Sequence, residues 1–188
     1  MAKYRHGLKH FLLSLAVSGI NERKKDMINS RSVNDLHPKV KEMCETHQAA
    51  FLAATGHELL VTCTFRDGES QHLLFSKGRK QLDSGAWIKV GAVVTNADAG
   101  FSFHQYHVAY DVVPLAGGKP VWTTTTEEDI LLWNEAIRTG EEAGLESASK
   151  WKSFPEKPHF QFTFGLTVHE LYAAGNVEAA LSAKGAVA

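Results

Sequence analysis

The sequence predicts an α+β fold, a small and mainly antiparallel sheet with flanking helices. Three observations lead there. Helical and strand-like patterns mix along the chain without the regular strand–helix alternation of a parallel sheet. No internal repeat or low-complexity tract interrupts the 188 residues, a length suited to one main domain. Apolar residues make up 44% and charged residues 22%, so the chain can bury a core of ordinary size.

Residues 1–34 read as an N-terminal helix and linker. Lys3, Arg5 and Lys9 precede an apolar run at residues 11–20, the layout of an export signal. Leu8, Phe11, Leu12, Leu15 and Ala16 also recur at helical spacing, as in a helix docked on a domain. Both readings stay open. The run is shorter than the roughly 20 residues a bilayer span needs, so no stable membrane span is expected. A net charge of −1 gives no field that would draw the whole molecule to nucleic acid.

The main domain is expected over residues 35–175. Pro38 suits a first helical turn, and Val40, Met43, Cys44, His47, Ala50, Phe51 and Ala54 form one apolar stripe stopped by Gly56. Residues 58–65 (ELLVTCTF) read as a buried strand, and 70–78 as a short helix ending at Gly78. Residues 79–100 read as a long loop with at most a brief strand. Residues 108–115 are a strand closed by Pro114 and the following glycines. Residues 126–144 are a helix with a Thr126/Asp129 capping box, its buried face drawn through Ile130, Trp133 and Ile137. Residues 159–164 (HFQFTF) alternate like a strand with one buried face. A small helix at 167–175 precedes a tail of small residues, 176–188. Cys44 and Cys63, the only cysteines, fall on buried positions and read as free thiols; no C-x-x-C zinc pattern is present.

The chemistry gathers in Ser102–Asp111, SFHQYHVAYD. A zinc hydrolase needs three protein ligands, an open coordination position and a base. His104 on a loop and Asp111 on the following strand supply two candidate ligands. The third is best sought at His159, at the head of a strand; if that strand pairs beside 108–115, His159 and Asp111 become neighbours. Glu156, three residues before His159 and bracketed by Pro155 and Pro158, would bring a carboxylate to the same place as general base.

Taken together, these stretches resemble the zinc D,D-carboxypeptidase and L-alanyl-D-glutamate peptidase family, the group of VanY-like enzymes and phage endolysins. Ser102, His104, Ala109 and Asp111 fit its Ser-x-His-x-x-Gly-x-Ala-x-Asp motif. Lys150, Trp151, Phe154, Glu156, Pro158, His159 and Phe160 fit its second signature. Arg66, Gln71, Leu74, Gly78 and Arg79 fit an earlier block, and residues 37–40 (HPKV) its usual start. The resemblance spans about residues 35–172. It implies a Hedgehog/D,D-peptidase-like fold and a Zn2+ cofactor held by His104, Asp111 and His159. It implies Glu156 as general base and acid, and Arg66 on the developing oxyanion or a substrate carboxylate. Ser102 would hydrogen-bond in the site.

Two departures stand out. His107 occupies the motif's glycine position, so it must adopt a positive φ or move the loop; it could touch substrate or offer an alternative ligand. Ser147, Ala148 and Ser149 stand where endolysin-type members often have Trp-Gly-Gly after Gly-Leu-Glu. The resemblance implies a monomeric enzyme acting on a peptidoglycan stem peptide in the cell wall or periplasm. L-alanyl-D-glutamate is the expected bond for a single-domain endolysin. A D-Ala-D-Ala carboxypeptidase or dipeptidase is the alternative, and an inactive zinc-bound binding module is the reading from another class.

Overall fold

The computed structural model describes residues 27–185; the N-terminal helix or export signal considered above lies outside them. Helix α1 (Pro38–Thr55) starts at the expected proline, its first turn capped by His37 Nδ1, which accepts from the Lys39 N–H at 3.2 Å. It buries Val40, Met43, Cys44, His47 and Phe51. Ala54, placed on that stripe from sequence, is exposed in the last turn. Strand β1 (Leu59–Cys63) leads to α2 (Gly68–Ser76), whose cap is Asp67, accepting from the Ser70 N–H.

The segment expected as a loop contains a hairpin of β2 (Arg79–Gln81) and β3 (Trp87–Lys89). Gly78 permits it: a Cβ there would sit 2.0 Å from the Ala92 carbonyl oxygen, and φ is +71°.

Strand β4 (Ala109–Ala116) is the centre of the main sheet, whose order is β1-β4-β7-β6, with β5 (Lys119–Pro120) closing a hairpin on β4. Every pairing in it is antiparallel, so the expected α+β class holds. Helix α3 (Glu127–Glu142) carries the expected capping box, but its buried face runs through Leu132, Trp133, Ala136, Thr139 and Gly140. Ile130, expected on that face, is exposed. The stripe lies further round the helix because α3 approaches the sheet at Gly140, where an added Cβ would meet the Phe160 ring at 2.4 Å.

Strand β6 (Glu146–Ser147) and strand β7 (His159–Gln161) complete the sheet. The strand expected over 159–164 stops at Gln161 because the chain turns away, with Phe164 at a φ of 56°. All three β7 residues are buried, not alternately exposed, since both faces of the sheet are covered there. Helix α4 (Val168–Ala174) repeats a capping box at Thr167 and Glu170. Residues expected as a loose tail include α5 (Val177–Ala183), which places Val177 and Ala180 in the core beside Leu171.

One polar chain runs through this core. The Tyr110 hydroxyl donates to Nδ1 of His47 at 2.9 Å, and His47 Nε2–H donates to the Ala136 carbonyl at 2.8 Å. Burial lowers the His47 pKa to about 4, against the help of the Ala136 carbonyl. The unfolded chain, with a histidine pKa near 6.5, therefore takes up a proton that the folded chain refuses. Stability from this site is complete above about pH 6.5 and falls as pH drops towards 4, by about 3 kcal/mol in all. Urea unfolding at pH 7 and pH 4.5 should show this slope, and His47→Gln should flatten it; an unchanged slope would contradict the assignment.

Candidate functional site

The sheet register builds the site. Asp111 in β4 pairs with His159 in β7 on one side and with Cys63 in β1 on the other. Alternation separates two faces: Tyr110 and Phe160, also register partners, stack at 6.0 Å on the helix side with His47. Asp111 and His159 are therefore turned to the opposite face. An irregularity in β1 between Val61 and Cys63 adjusts the register beside Asp111.

His104 arrives from a single 3-10 turn, Phe103–Tyr106, which follows Ser102 and is closed by His107 at φ 63° and ψ 19°. That is the left-handed conformation the motif's glycine would adopt freely, and here a histidine adopts it. The His107 ring stacks on Phe65 at 4.5 Å between centroids, its Nδ1–H donates to the Asp35 carbonyl, and its own carbonyl accepts from the His37 N–H at 2.9 Å. These contacts turn His107 towards Phe65 and Asp35, and it is not among the residues that line the cleft over His104.

Three donor atoms converge. His104 Nε2 lies 3.2 Å from His159 Nδ1 and 3.3 Å from Asp111 Oδ1, and His159 Nδ1 lies 3.2 Å from Asp111 Oδ1. Ligands about 2.0–2.1 Å from a tetrahedral zinc stand about 3.3 Å apart, so this triangle fits such an ion. The tautomers fit as well. His104 Nδ1–H donates to the Thr64 carbonyl at 2.7 Å, leaving Nε2 bare, and His159 Nε2–H donates to Gln161 Oε1 at 3.1 Å, leaving Nδ1 bare. Gln161 is held in turn by Glu146, which also accepts from the Trp151 indole N–H at 2.7 Å.

Burial would raise the Asp111 carboxyl, but His104 and His159 outweigh it and hold Asp111 well below the usual carboxylate range. Burial lowers His104 despite Asp111. For His159, the adjacent Asp111 overcomes burial and raises the imidazole, so a cation binding there competes with a proton.

Cys63, His104 and Asp111 also offer donor atoms within 4.8 Å of one another. That set is the poorer one. The Cys63 sulfur faces His104 Nδ1, the nitrogen already committed to Thr64, and burial pushes the thiol up to about 11, which keeps it protonated.

A cleft of about 400 Å³ opens over the triangle, lined among others by Arg66, Ser102, Trp151, Phe154 and Glu156. Ser102 does not use its side chain to cap the turn. Phe154, at φ 60°, bends the chain just before Pro155 and Glu156. The Glu156 N–H donates to the Ala148 carbonyl, tying this loop to the turn after β6. Burial raises the Glu156 carboxyl, with Asp111 adding to the effect and His159 and Arg66 opposing it. Arg66 bonds Gln71 Oε1 at 3.0 Å and lies 3.5 Å from Asp111 Oδ2. Sequence reasoning missed Gln161 as a support for His159. The i, i+2 spacing on a strand was the signal that could have found it.

Residues 95–162, which include both histidines and Asp111 of the triangle, match the family model described as D-alanyl-D-alanine carboxypeptidase. This stretch is thus similar to that peptidase family. It is similar to the peptidoglycan L-alanyl-D-glutamate endopeptidase CwlK of Bacillus subtilis, 29% identical over 158 residues, covering 80% of this chain and 89% of that protein. Among solved structures it is similar to the L-Ala D-Glu endopeptidase ChiX of Serratia marcescens, with a TM-score of 0.46 and 20% identity over 77% of this chain and 95% of that one. Among the described residues, no helix is long and apolar enough to cross a membrane.

Proposed function

We propose that the protein is a zinc-dependent peptidoglycan endopeptidase that cuts the L-alanyl-D-glutamate bond of the stem peptide at the cell wall. Residues 35–175 would form its catalytic domain. The reading rests above all on the triangle of His104, Asp111 and His159, with both imidazole tautomers fixed from behind. The choice of bond is supported by the likeness to the Bacillus enzyme. The described match to a D-alanyl-D-alanine carboxypeptidase keeps that activity as the second reading. The biological setting of this reading is a phage-type, wall-lysing endolysin.

Zinc held at the triangle supplies Lewis acidity, polarising a carbonyl and acidifying water. The chain's own residues then carry the reaction. Glu156, its carboxyl already biased upward by burial, accepts the proton of the water that attacks the scissile carbonyl carbon. As the C–N bond breaks, it returns that proton to the departing amine nitrogen. Arg66 donates to the oxygen on which negative charge develops, or to the carboxylate of the D-glutamate.

Incubating the zinc-loaded protein with purified wall and identifying the new termini tests the bond. Free D-glutamate amino groups are expected, in step with lysis. Release of D-alanine with no new glutamate amine would select the carboxypeptidase reading. Zinc binding with neither product would select the inactive binding module.

A further inference from the structure

Residues 28–30, which the sequence presented as linker, lie against the segment after β1 that carries Arg66. The Ser30 N–H donates to the Phe65 carbonyl at 2.8 Å, and the Ser30 carbonyl accepts from the Thr64 N–H at 2.8 Å. The Ile28 carbonyl accepts from the Asp67 N–H at 3.0 Å, and the Ile28 N–H donates to Asp67 Oδ2 at 3.0 Å. Between these anchors, Asn29 is the bridge partner of Arg66. Its side chain reaches the same residue: Asn29 Oδ1 accepts from Arg66 Nε–H at 3.4 Å and from the Cys63 thiol at 3.0 Å.

A guanidinium is a flat fork whose plane is set by its Nε contact as much as by its two outer nitrogens. Arg66 has Gln71 on Nη1 and the Cys63 sulfur on Nη2, at 3.0 and 3.1 Å. Asn29 supplies the contact at Nε that stops rotation of the fork. It also holds the thiol that receives Nη2, so one amide oxygen acts on Arg66 twice.

We infer that Asn29 is a positioning residue for Arg66, and that the strap 28–30 is part of the active site although it precedes the catalytic motifs in sequence. The inference rests on the reading of Arg66 as the group that meets the substrate oxygen. Loss of Asn29 leaves the triangle untouched, and leaves Gln71, Cys63 and Asp111 on the outer nitrogens, but removes the contact that fixes the fork at Nε and lets it tilt. A misplacement of that kind costs about 10- to 100-fold in rate.

The test is a double-mutant cycle on the full-length zinc-loaded chain, using soluble stem-peptide fragments as substrate. Asn29→Ala is expected to keep its zinc and lose about 10- to 100-fold in kcat/KM. The loss should fall on the same parameter, kcat or KM, as in Arg66→Ala. In Arg66→Ala/Asn29→Ala the second change should cost nothing further. Asn29→Asp, which keeps an acceptor oxygen in place, should recover most of the loss and covers the case in which the alanine variant folds poorly. Arg66→Ala impaired with Asn29→Ala fully active would overturn the positioning role alone, as would losses that simply add. Full activity of Arg66→Ala would overturn the reading of Arg66, and the inference with it.

Discussion

Glu156→Gln is expected to bind zinc like the parent protein and to lose about 10²- to 10⁴-fold in kcat. The substitution is close to isosteric, so the loop fixed by the Glu156 N–H to the Ala148 carbonyl stays in place. The amide still accepts a hydrogen bond from water, but it cannot take up the proton. Binding and positioning survive while the proton transfer is lost, so the effect appears in kcat and not in metal content. Metal analysis beside initial rates on purified wall checks both halves. Rates within twofold of the parent would remove Glu156 from its assigned role.

His159→Ala should lose stoichiometric zinc and fall at least as far in activity. The triangle then keeps only two donors, and Asp111 loses the imidazole 3.2 Å away that helps hold it ionised. A milder companion, Gln161→Ala, removes the acceptor that fixes the His159 tautomer and should weaken zinc by about 10- to 100-fold. Cys63→Ser separates the two possible ligand sets. It should leave zinc affinity unchanged if the triangle binds the ion and abolish it if Cys63 is a ligand. Zinc retained in His159→Ala but lost in Cys63→Ser would overturn the assignment.

The sequence carried the local elements well where period and caps agreed. Pro38 and Gly56 bracket α1, and Thr126 with Asp129 starts α3, because those signals act within one turn of chain. It failed where distant packing decides. Ile130 has the right spacing for the α3 stripe, but the near approach of Gly140 to Phe160 selects another face. Helix α5 is rich in small residues and looked like a tail, yet Val177 and Ala180 are covered by parts of the core far away in sequence.

The site shows the same division. His104, Asp111 and His159 could be proposed as a set, but their meeting depended on β7 pairing with β4 in one register, which residue types alone do not set. Asn29 gave no signal at all. Its position follows from the pairing of residues 28–30 with residues 64–67, distant in sequence, which sets Asn29 beside Arg66.

His107 has a consequence for how this chain can change over generations. A left-handed histidine costs roughly 1–2 kcal/mol relative to glycine. Its stack on Phe65 and its bond to the Asp35 carbonyl offset a cost of that size. Phe65 and His107 thus form a matched pair. Reverting His107 to glycine relieves the backbone but strips a partner from Phe65, directly before Arg66; changing Phe65 first leaves the histidine uncompensated. Changing either residue alone is therefore expected to cost stability, and a double-mutant cycle on Phe65 and His107 should show the coupling.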